Sequence, residues 1–184
     1  MNLEFKNFSI LSEQEQVEIL DIRNLDYIRE QMTTKKVITL DDHLEWLKRL
    51  LTKNDSYYFA VLLDSKIVGA VYVTDINKLN HTSYWGLYFS KKVNPLVSTF
   101  STYYLFEYIF KDLQINTLYL EVKNSNKKAL SFDKSLGFKE YNNNSEYIYM
   151  SMTSNKWDDT KDSKLFTILK HKIDKINFKI IKGK

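Results

Sequence analysis

Cysteine is absent from this chain of 184 residues, and proline and glycine are scarce, with one and four residues respectively. Without cysteine the protein has no disulfide, no thiolate nucleophile and no Cys-ligated zinc. Only three histidines occur, and they are scattered, so no catalytic metal is expected. No run approaches the ~20 apolar residues that a membrane-spanning helix needs. The first residues also lack a basic-then-apolar signal pattern, and we therefore expect a cytoplasmic protein.

Aromatic side chains are plentiful by contrast, at 15% of the residues, and apolar residues make up 43%. This is enough apolar surface for the core of one domain. The net charge is +4, and the excess lies at the end of the chain, where residues 161–184 hold eight lysines against two aspartates. A basic tail is able to contact nucleic acid, but a solvated helix face is the favoured interpretation, so we expect no nucleic-acid partner.

Hydrophobic spacing predicts that strands and helices alternate along the first two thirds of the chain. Ser12 and Glu15 form the sequence of a capping box and open a helix that reaches Arg23. Thr39 caps a second helix over residues 40–51. Its predicted core face holds Leu44, Leu47 and Leu51.

The remaining pattern predicts the fold class. Residues 57–63 and 67–74 form a hairpin that is apolar on both faces, and a strand over residues 83–89 contains Gly86. A long aromatic helix, capped by Ser98 or Thr99, follows. We expect an α+β fold with a mixed sheet of six or seven strands and helices on both faces. This domain covers residues 1–152, and a basic helical extension covers residues 153–184.

Residues 117–138 combine a strand, a polar turn and a short helix. Apolar and polar side chains alternate over residues 117–123, and Gly137 is placed to close the following helix in a left-handed cap. This unit resembles the last strand–helix unit of the Gcn5-related N-acetyltransferases, the GNAT family. The resemblance implies transfer of an acetyl group from acetyl-coenzyme A to an amine. It also implies two sheet strands that splay apart near Leu87 and Glu121 to admit the cofactor.

Five further patterns occur in order along residues 1–152 and resemble the sugar-nucleotide branch of that family, in particular the N-acetyltransferases of pseudaminic acid biosynthesis. They are Arg23-Asn24, Arg29 to Met32, Ile38 before Asp42-His43-Leu44, Thr74 to Asn77, and Gly86-Leu87-Tyr88. The resemblance implies that the acceptor is a nucleotide sugar for surface glycans, a UDP-4-amino-4,6-dideoxy-N-acetyl-altrosamine. It also implies an acceptor site lined by Arg23, Met32, His43, Thr74 and Tyr88.

The chemistry of a nucleotide sugar agrees with this assignment. Its diphosphate is dianionic, and Arg23 offers planar, bidentate hydrogen-bond donors. Trp46 or Tyr88 is able to stack on uracil or on the apolar face of the sugar. Ordinary alternatives stay open, and they are a surface ion pair of Arg23 with Asp21 or Asp26, a plain first-turn position for His43, and core packing for Trp46.

The resemblance also assigns residues to the cofactor. The strand Leu87, Tyr88 and Phe89 is expected to hydrogen-bond the pantetheine arm through its backbone, and Asn126 and Phe132 are expected to contact it. The loop before the long helix, residues 93–99, has no glycine, unlike the glycine-rich pyrophosphate loop usual in the family. A helix N-terminus still binds phosphate, so the sites expected there are Asn94, Ser98 and Thr99.

Three residues are candidates for the proton transfers. Glu121 is placed to orient the amine or accept its proton, unless it is a cross-strand partner for a lysine. Asp133 stands where the family commonly has the tyrosine that protonates the thiolate. It is a neutral buried acid, a base or no catalyst, and the last is favoured, with water or Tyr88 supplying the proton.

Two other functions stay open. The same fold is able to acetylate a protein N-terminus or a small amine, which an acidic or neutral acceptor pocket would favour. The glycine-free loop and Asp133 are also compatible with a non-catalytic domain that binds a ligand or partner, and a homodimer is left open. In a non-catalytic domain, the basic residues 161–184 would be the element that binds the partner.

Overall fold

The computed structural model describes residues 1–183 and, within them, every side chain except those of Lys164 and Leu165. Leu165, predicted on the core side of the last helix, and Lys184, at the end of the predicted extension, therefore lie outside the described residues. Eight strands are present in the described chain. They are β1 (Asn2–Asn7), β2 (Tyr57–Leu63), β3 (Lys66–Asn77), β4 (Thr82–Phe89), β5 (Thr117–Lys123), β6 (Lys139–Asn143), β7 (Tyr147–Thr153) and β8 (Asn177–Ile181).

Seven α-helices connect or flank these strands in residues 1–183. They are α1 (Glu13–Arg23), α2 (Asp26–Arg29), α3 (Leu40–Leu51), α4 (Pro95–Glu107), α5 (Lys127–Ser135), α6 (Ser154–Lys161) and α7 (Lys164–Ile173). A 3-10 turn, Phe8–Ile10, follows β1, and a π-helical turn, Tyr108–Asp112, extends α4. The capping box of Ser12 and Glu15 and the cap at Thr39 are both formed, which confirms the predicted starts of α1 and α3.

All eight strands form one mixed sheet in the order β6-β7-β5-β4-β3-β2-β1-β8. Neighbours are antiparallel except β4–β5 and β1–β8, which run parallel. The β4–β5 pairing is short, because only Thr82 to Tyr84 pair with Thr117 to Tyr119. Beyond Tyr84 and Tyr119 the two strands have no further pairing, so the sheet is forked at its centre. The predicted splay is therefore confirmed.

Helices cover both faces of the sheet, as predicted. The main core lies on the face of α4 to α7, and it includes Trp85, Phe106 and Trp157. A smaller core on the other face joins α1 and α2 to β2 and β3 through residues such as Ile19, Ile28 and Ala60. Residues 59–62 are buried throughout, because alternate side chains of β2 enter the two cores. The hairpin is thus buried on both faces, as its sequence predicts.

The predicted α+β fold is present, but several details are corrected. The sheet has eight strands rather than six or seven, because β6 and β8 were missed. Residues 139–143 are polar and exposed, so they carry no hydrophobic alternation. The extension is not purely helical either, since β8 pairs with β1 at the sheet edge. The boundary after residue 152 stays a prediction.

Two helix predictions also need correction. The cap of α4 is Asn94, with Pro95 at the first helical position, whereas Ser98 and Thr99 lie inside the helix. On α3 the one buried residue is His43, and Leu51 is 56% exposed. The leucine stripe of α3 is therefore only partly covered, and the helix turns its histidine side towards the sheet.

Candidate active site

A cavity of about 550 Å³ opens between the sheet and the helices α1 and α3. Its lining combines aromatic and cationic side chains with one carboxylate. The lining residues are Phe8, Arg23, Met32, Thr34, Lys36, Val37, Ile38, Asp42, His43, Trp46, Arg49, Tyr58, Tyr72 and Tyr88. Of the six predicted acceptor-site residues, five meet here, and they are Arg23, Met32, His43, Trp46 and Tyr88. Thr74 is not part of the lining.

One wall of this acceptor cavity is the segment of residues 30–38, which has no regular structure of its own. Asn24 fixes its far end, because the Asn24 amide donates to the carbonyl of Ile38 at 2.8 Å and accepts the Ile38 N–H at 2.9 Å. The Arg29 guanidinium donates to the carbonyls of Asn24 and Lys35 at 2.9 and 2.6 Å and also pairs with Asp26. Asn24, Arg29 and Ile38, noted in the sequence as a pattern, therefore shape the cavity wall.

Lys123 holds the near end of the same wall. Its side chain is buried, and its ammonium group donates to the carbonyls of Glu30 and Met32, the second at 3.3 Å. Because Lys123 ends β5, this contact joins the far strand of the fork to the wall that carries Met32. This contact was not predicted from the sequence, since a lysine at a strand end usually lies in solvent.

His43 is fixed by a buried partner rather than lying free in the first turn of α3. Its Nε2 atom lies 2.9 Å from the Oε1 atom of Gln16, whose amide in turn donates to the carbonyl of Phe8 at 2.8 Å. An amide oxygen only accepts, so His43 carries its proton on Nε2. Burial lowers the pKa of His43, and the imidazole is therefore neutral at pH 7.

Arg23 lies among tyrosines instead of forming an ion pair. Neither Asp21 nor Asp26 contacts it within the described chain, and Asp26 pairs with Arg29. Its Nη1 atom is buried without a hydrogen-bond partner in residues 1–183. Burial lowers the pKa of Arg23, which the neighbouring Tyr88 and Tyr72 partly oppose. Arg23 as a whole is half-buried, and a buried guanidinium nitrogen without a partner is costly unless an anion binds it.

Trp46 lines the acceptor cavity and, partly buried, also packs against the smaller core. Its ring meets Tyr58 edge-on at 5.0 Å and Phe8 at 6.2 Å. Thr74 lies further along β3, opposite Tyr84 and beside an irregularity in the pairing with β4. Because Thr74 is not one of the lining residues, its role in acceptor binding stays a prediction.

The fork divides the residues predicted for the cofactor between the two faces. Leu87 and Phe89 pack against the core under α4, whereas Tyr88 faces the acceptor cavity. Tyr88 is buried, and burial raises its pKa, so it stays a neutral phenol. Phe132 packs on the main core from α5. These residues therefore border the fork from both sides.

The helix ends near the fork are capped by their own side chains. The Asn94 side chain accepts the N–H of Leu96 at 2.9 Å, and the Ser98 hydroxyl donates to the Pro95 carbonyl at 2.7 Å. Asn126 caps α5 in the same way, accepting the N–H of Ala129 at 3.2 Å. Thr99 lies partly buried inside α4. A role for these four residues in cofactor binding stays a prediction. To bind the cofactor through their side chains, Asn94 and Asn126 would have to give up their capping hydrogen bonds.

The two predicted acid–base residues have opposite environments. Glu121 is exposed on β5, faces Tyr149 across the sheet, and forms no ion pair with a lysine in the part of the chain that the structure describes. Asp133 is 6% exposed on α5, and burial raises its pKa to about 7. It therefore carries a proton in a large fraction of molecules at neutral pH.

Several cavity residues were missed from the sequence. Tyr58 and Tyr72 face each other across β2 and β3 with their rings stacked 5.1 Å apart, and Gln16 and Lys123 hold the walls. The signal for Tyr58 and Tyr72 was present, because strand alternation places both on the face of Tyr88. Gln16 and Lys123 had no signal, because Gln16 bonds His43 and the Phe8 carbonyl from another element and Lys123 bonds carbonyls distant in sequence.

The described residues contain neither a membrane-spanning helix nor a cluster of metal-binding side chains. No helix within residues 1–183 has the length and apolar character needed to cross a membrane. Over the same residues, no three histidine, aspartate or glutamate side chains come together in a way that would hold a metal ion.

Comparison with known proteins agrees with this geometry. A curated relative, Acetyltransferase PseH of Campylobacter jejuni subsp. jejuni serotype O:23/36 (strain 81-176), is 29% identical over 150 residues, which cover 82% of this chain and 93% of the relative. The crystal structure of Campylobacter jejuni N-acetyltransferase PseH in complex with acetyl coenzyme A superposes with a TM-score of 0.68 at 27% identity, covering 83% of this chain and 99% of that one.

The fold extends to more distant enzymes. Spermidine N-acetyltransferase from Vibrio cholerae, in complex with CoA and spermine, gives a TM-score of 0.75 at 17% identity, with 85% of this chain and 98% of that chain covered. At that identity the likeness concerns the fold alone. The family model described as an acetyltransferase (GNAT) domain matches residues 9–159. The resemblance drawn from residues 117–138 is thus confirmed, and the chain belongs to the GNAT family of acetyltransferases.

Proposed function

We propose that this acetyltransferase transfers an acetyl group from acetyl-coenzyme A to the amino group of an amino-sugar nucleotide, a UDP-4-amino-4,6-dideoxy sugar used in surface glycan synthesis. The observation that carries the proposal is the charge of the acceptor cavity. Three cationic side chains line it, Arg23, Lys36 and Arg49, against one carboxylate, Asp42. The Nη1 atom of Arg23 also has no partner in the described chain. A dianionic diphosphate supplies the missing partner.

The aromatic part of the cavity supports a nucleotide sugar as well. Trp46, Tyr58 and Phe8 form edge-to-face and tilted contacts that leave ring surface towards the cavity. Stacking on such rings suits both a uracil base and the methyl-bearing face of a deoxy sugar. The cavity volume of about 550 Å³ lies within the range of small-molecule sites.

The fork between β4 and β5 suits the cofactor. Past Tyr84 and Tyr119 the facing strand edges have no ladder partner in each other, so their backbone groups are able to bind an extended ligand. We assign the backbone of residues 87–89, the side chain of Phe132 and the α5 cap Asn126 to the pantetheine arm. Acetyl-coenzyme A supplies the acetyl group as a thioester. Asn94, Ser98 and Thr99, at the start of α4, are assigned to the phosphates.

The chain's own residues then divide the proton transfers between the two faces of the sheet. Glu121, exposed on β5, accepts a proton from the acceptor ammonium, directly or through water, so that the amine is nucleophilic. Because burial raises the pKa of Asp133 to about 7, we assign the proton for the leaving sulfur to Asp133 rather than to water or Tyr88, which the sequence favoured. Tyr88, a neutral phenol on the cavity side, orients the acceptor.

Thiol release by the purified chain tests the proposal. The acceptors are a UDP-4-amino-4,6-dideoxy sugar, its dTDP-linked counterpart, spermidine and a peptide with a free N-terminus. We expect the UDP sugar to exceed spermidine at least ~100-fold in kcat/KM, because a polycation meets like charges in this cavity. Equal use of spermidine or the peptide would contradict the proposal.

The alternatives of a small amine, a protein N-terminus or a non-catalytic domain have less support. An acceptor site for a polyamine would be acidic, whereas Arg23 and His43 both line this cavity and only one carboxylate accompanies them. The absence of turnover with every amine in the panel, together with tight cofactor binding, would favour the non-catalytic alternative.

A further inference from the structure

Tyr72 reaches the mouth of the fork from the neighbouring strand because residue 86 is glycine. Tyr72 on β3 pairs with Gly86 on β4, and its ring lies across the strand at that point. A methyl group at position 86 would overlap the Tyr72 hydroxyl and ring carbons. Glycine is therefore required here by a side chain from the adjacent strand and not by the backbone conformation of β4.

The position of the crossing is specific. Tyr84, two residues before Gly86, is the last residue of β4 that pairs with β5. The tip of the Tyr72 ring thus lies over β4 just beyond the point where β4 and β5 part. The Tyr72 hydroxyl lies against the position that a Cβ atom at residue 86 would occupy, so it reaches β4 at the first residues past the last pairing with β5. Tyr72 is also one of the residues that line the acceptor cavity.

The hydroxyl group is held in place but has no partner. The ring of Tyr72 stacks on Tyr58 at 5.1 Å with an angle of 20° between planes, which limits its rotation. The tyrosine hydroxyls that form hydrogen bonds within residues 1–183 are those of Tyr27, Tyr104 and Tyr149, and the Tyr72 hydroxyl is not among them. Burial raises the pKa of Tyr72, while Arg23 opposes the shift, so the group is a neutral phenol able to donate and accept.

From this geometry we infer that the Tyr72 hydroxyl binds the reacting amino group of the acceptor at the mouth of the fork. Its oxygen accepts one amine N–H, while Glu121 takes the departing proton from the other side. The lone pair of the nitrogen is then directed into the fork. The inference rests on the proposed function, since it concerns the acceptor of that reaction. Tyr72 is a substrate-orienting residue that was not among the six acceptor-site residues predicted from the sequence.

The substitution Tyr72→Phe tests the inference, because it removes the hydroxyl and keeps the ring. We expect kcat/KM for the UDP-4-amino sugar to fall about 10- to 100-fold, mostly through kcat, since orientation is lost. The dissociation constant of acetyl-coenzyme A, measured by calorimetry, and the melting temperature should stay unchanged. Tyr84→Phe is the matched control, because Tyr84 lies on the same face of the sheet as Tyr72 but is not part of the cavity lining. This variant should change kcat/KM less than about twofold.

Gly86→Ala provides a second variant with a structural readout. The added methyl group should displace the Tyr72 ring, lowering both activity and melting temperature. In a Tyr72→Leu background the same glycine substitution should lower the melting temperature much less. Wild-type kinetics in Tyr72→Phe, or equal effects of Gly86→Ala in both backgrounds, would overturn the inference. If the wild-type chain acetylates no amino-sugar nucleotide, the proposed function itself fails.

Discussion

At the scale of single residues, the account depends on two groups whose burial is costly. Arg23 carries a buried nitrogen without a partner, and Asp133 carries a carboxyl group with no ion pair in the described chain. Burial of such groups normally destabilises a fold, which makes both residues candidates for a role in binding or catalysis. Each yields a prediction that separates binding from stability.

Arg23→Met should raise KM for the UDP-4-amino sugar about 10- to 100-fold, because charge-assisted hydrogen bonds to the diphosphate are lost. Stability should be unchanged or higher, because an unpaired buried cation is removed while the aliphatic stem is kept. Steady-state kinetics and thermal melts measure the two effects. Arg49→Met is informative beside it, since Arg49 is exposed and paired with Glu45, and its effect on KM should be smaller.

Asp133→Asn should change the pH dependence of stability. The folded pKa of about 7 lies above the ordinary value of 3.8, so protonation stabilises the folded chain. In the wild type the free energy of unfolding should therefore fall as pH rises from about 4 to about 7, by at most ~1.4 kcal/mol per pH unit. The asparagine variant should lack this contribution in urea titrations at several pH values.

The same variant tests catalysis. If Asp133 donates the proton, wild-type kcat should decline above pH 7, and Asp133→Asn should lose ~100-fold in kcat at pH 6.5. A variant with wild-type kcat and an unchanged pH profile would show that Asp133 has no catalytic role.

Residue types at the site were partly predictable from the sequence. Arg23, His43 and Trp46 were named in advance, and the cavity brings them together. Their surroundings were not predictable, because Gln16 bonds His43 on another helix and Lys123 bonds a carbonyl far away in sequence. The exposed Leu51 shows the opposite error, since helical periodicity cannot say which stripe of α3 meets the sheet.

At the scale of elements, Lys123 connects the fork to the wall of residues 30–38, because its ammonium group donates to carbonyls of that wall. This link makes the acceptor wall dependent on β5, although the two are more than 80 residues apart in sequence. The α4 start shows why such details escape sequence reasoning. Ser98 and Thr99 are good capping residues, but Pro95 fixes the first turn earlier, so Asn94 takes the cap.

Lys123→Met should loosen the wall without closing the fork. We expect faster amide exchange in residues 30–38 and a several-fold rise in KM for the acceptor, with acetyl-coenzyme A affinity unchanged. Exchange measured by mass spectrometry gives the first effect. Lys128→Met, at an exposed position on α5, should leave both quantities as in the wild type. Unaltered amide exchange in residues 30–38 of Lys123→Met would show that Lys123 does not stabilise this wall.

At the scale of the whole molecule, the described end of the chain completes the sheet. β8 pairs with β1, and Phe178 stacks on Tyr104 at 3.9 Å and meets Phe5 edge-on at 5.0 Å. The sequence predicted a helix in this region but not the strand, because a five-residue edge strand with three apolar residues, Phe178, Ile180 and Ile181, is too short for a clear periodic signal.

Phe178→Ala should therefore destabilise the entire domain, by roughly 2–3 kcal/mol, because a partly buried aromatic contact to both a strand and α4 is lost. Lys179→Ala, which removes only a surface pair with Glu4, should cost less than about 1 kcal/mol. Urea denaturation of both variants makes the comparison. If Phe178→Ala unfolds like the wild type, β8 contributes nothing to the stability of the sheet.

The central claim is that acetyl-coenzyme A occupies the fork between β4 and β5, and amide hydrogen exchange with and without that cofactor tests it most directly. Saturating acetyl-coenzyme A should slow exchange in residues 85–89 and 120–123, while β1 and β2 change little. Cofactor binding that leaves residues 85–89 and 120–123 unprotected, or full protection of both segments before the cofactor is added, would contradict the account.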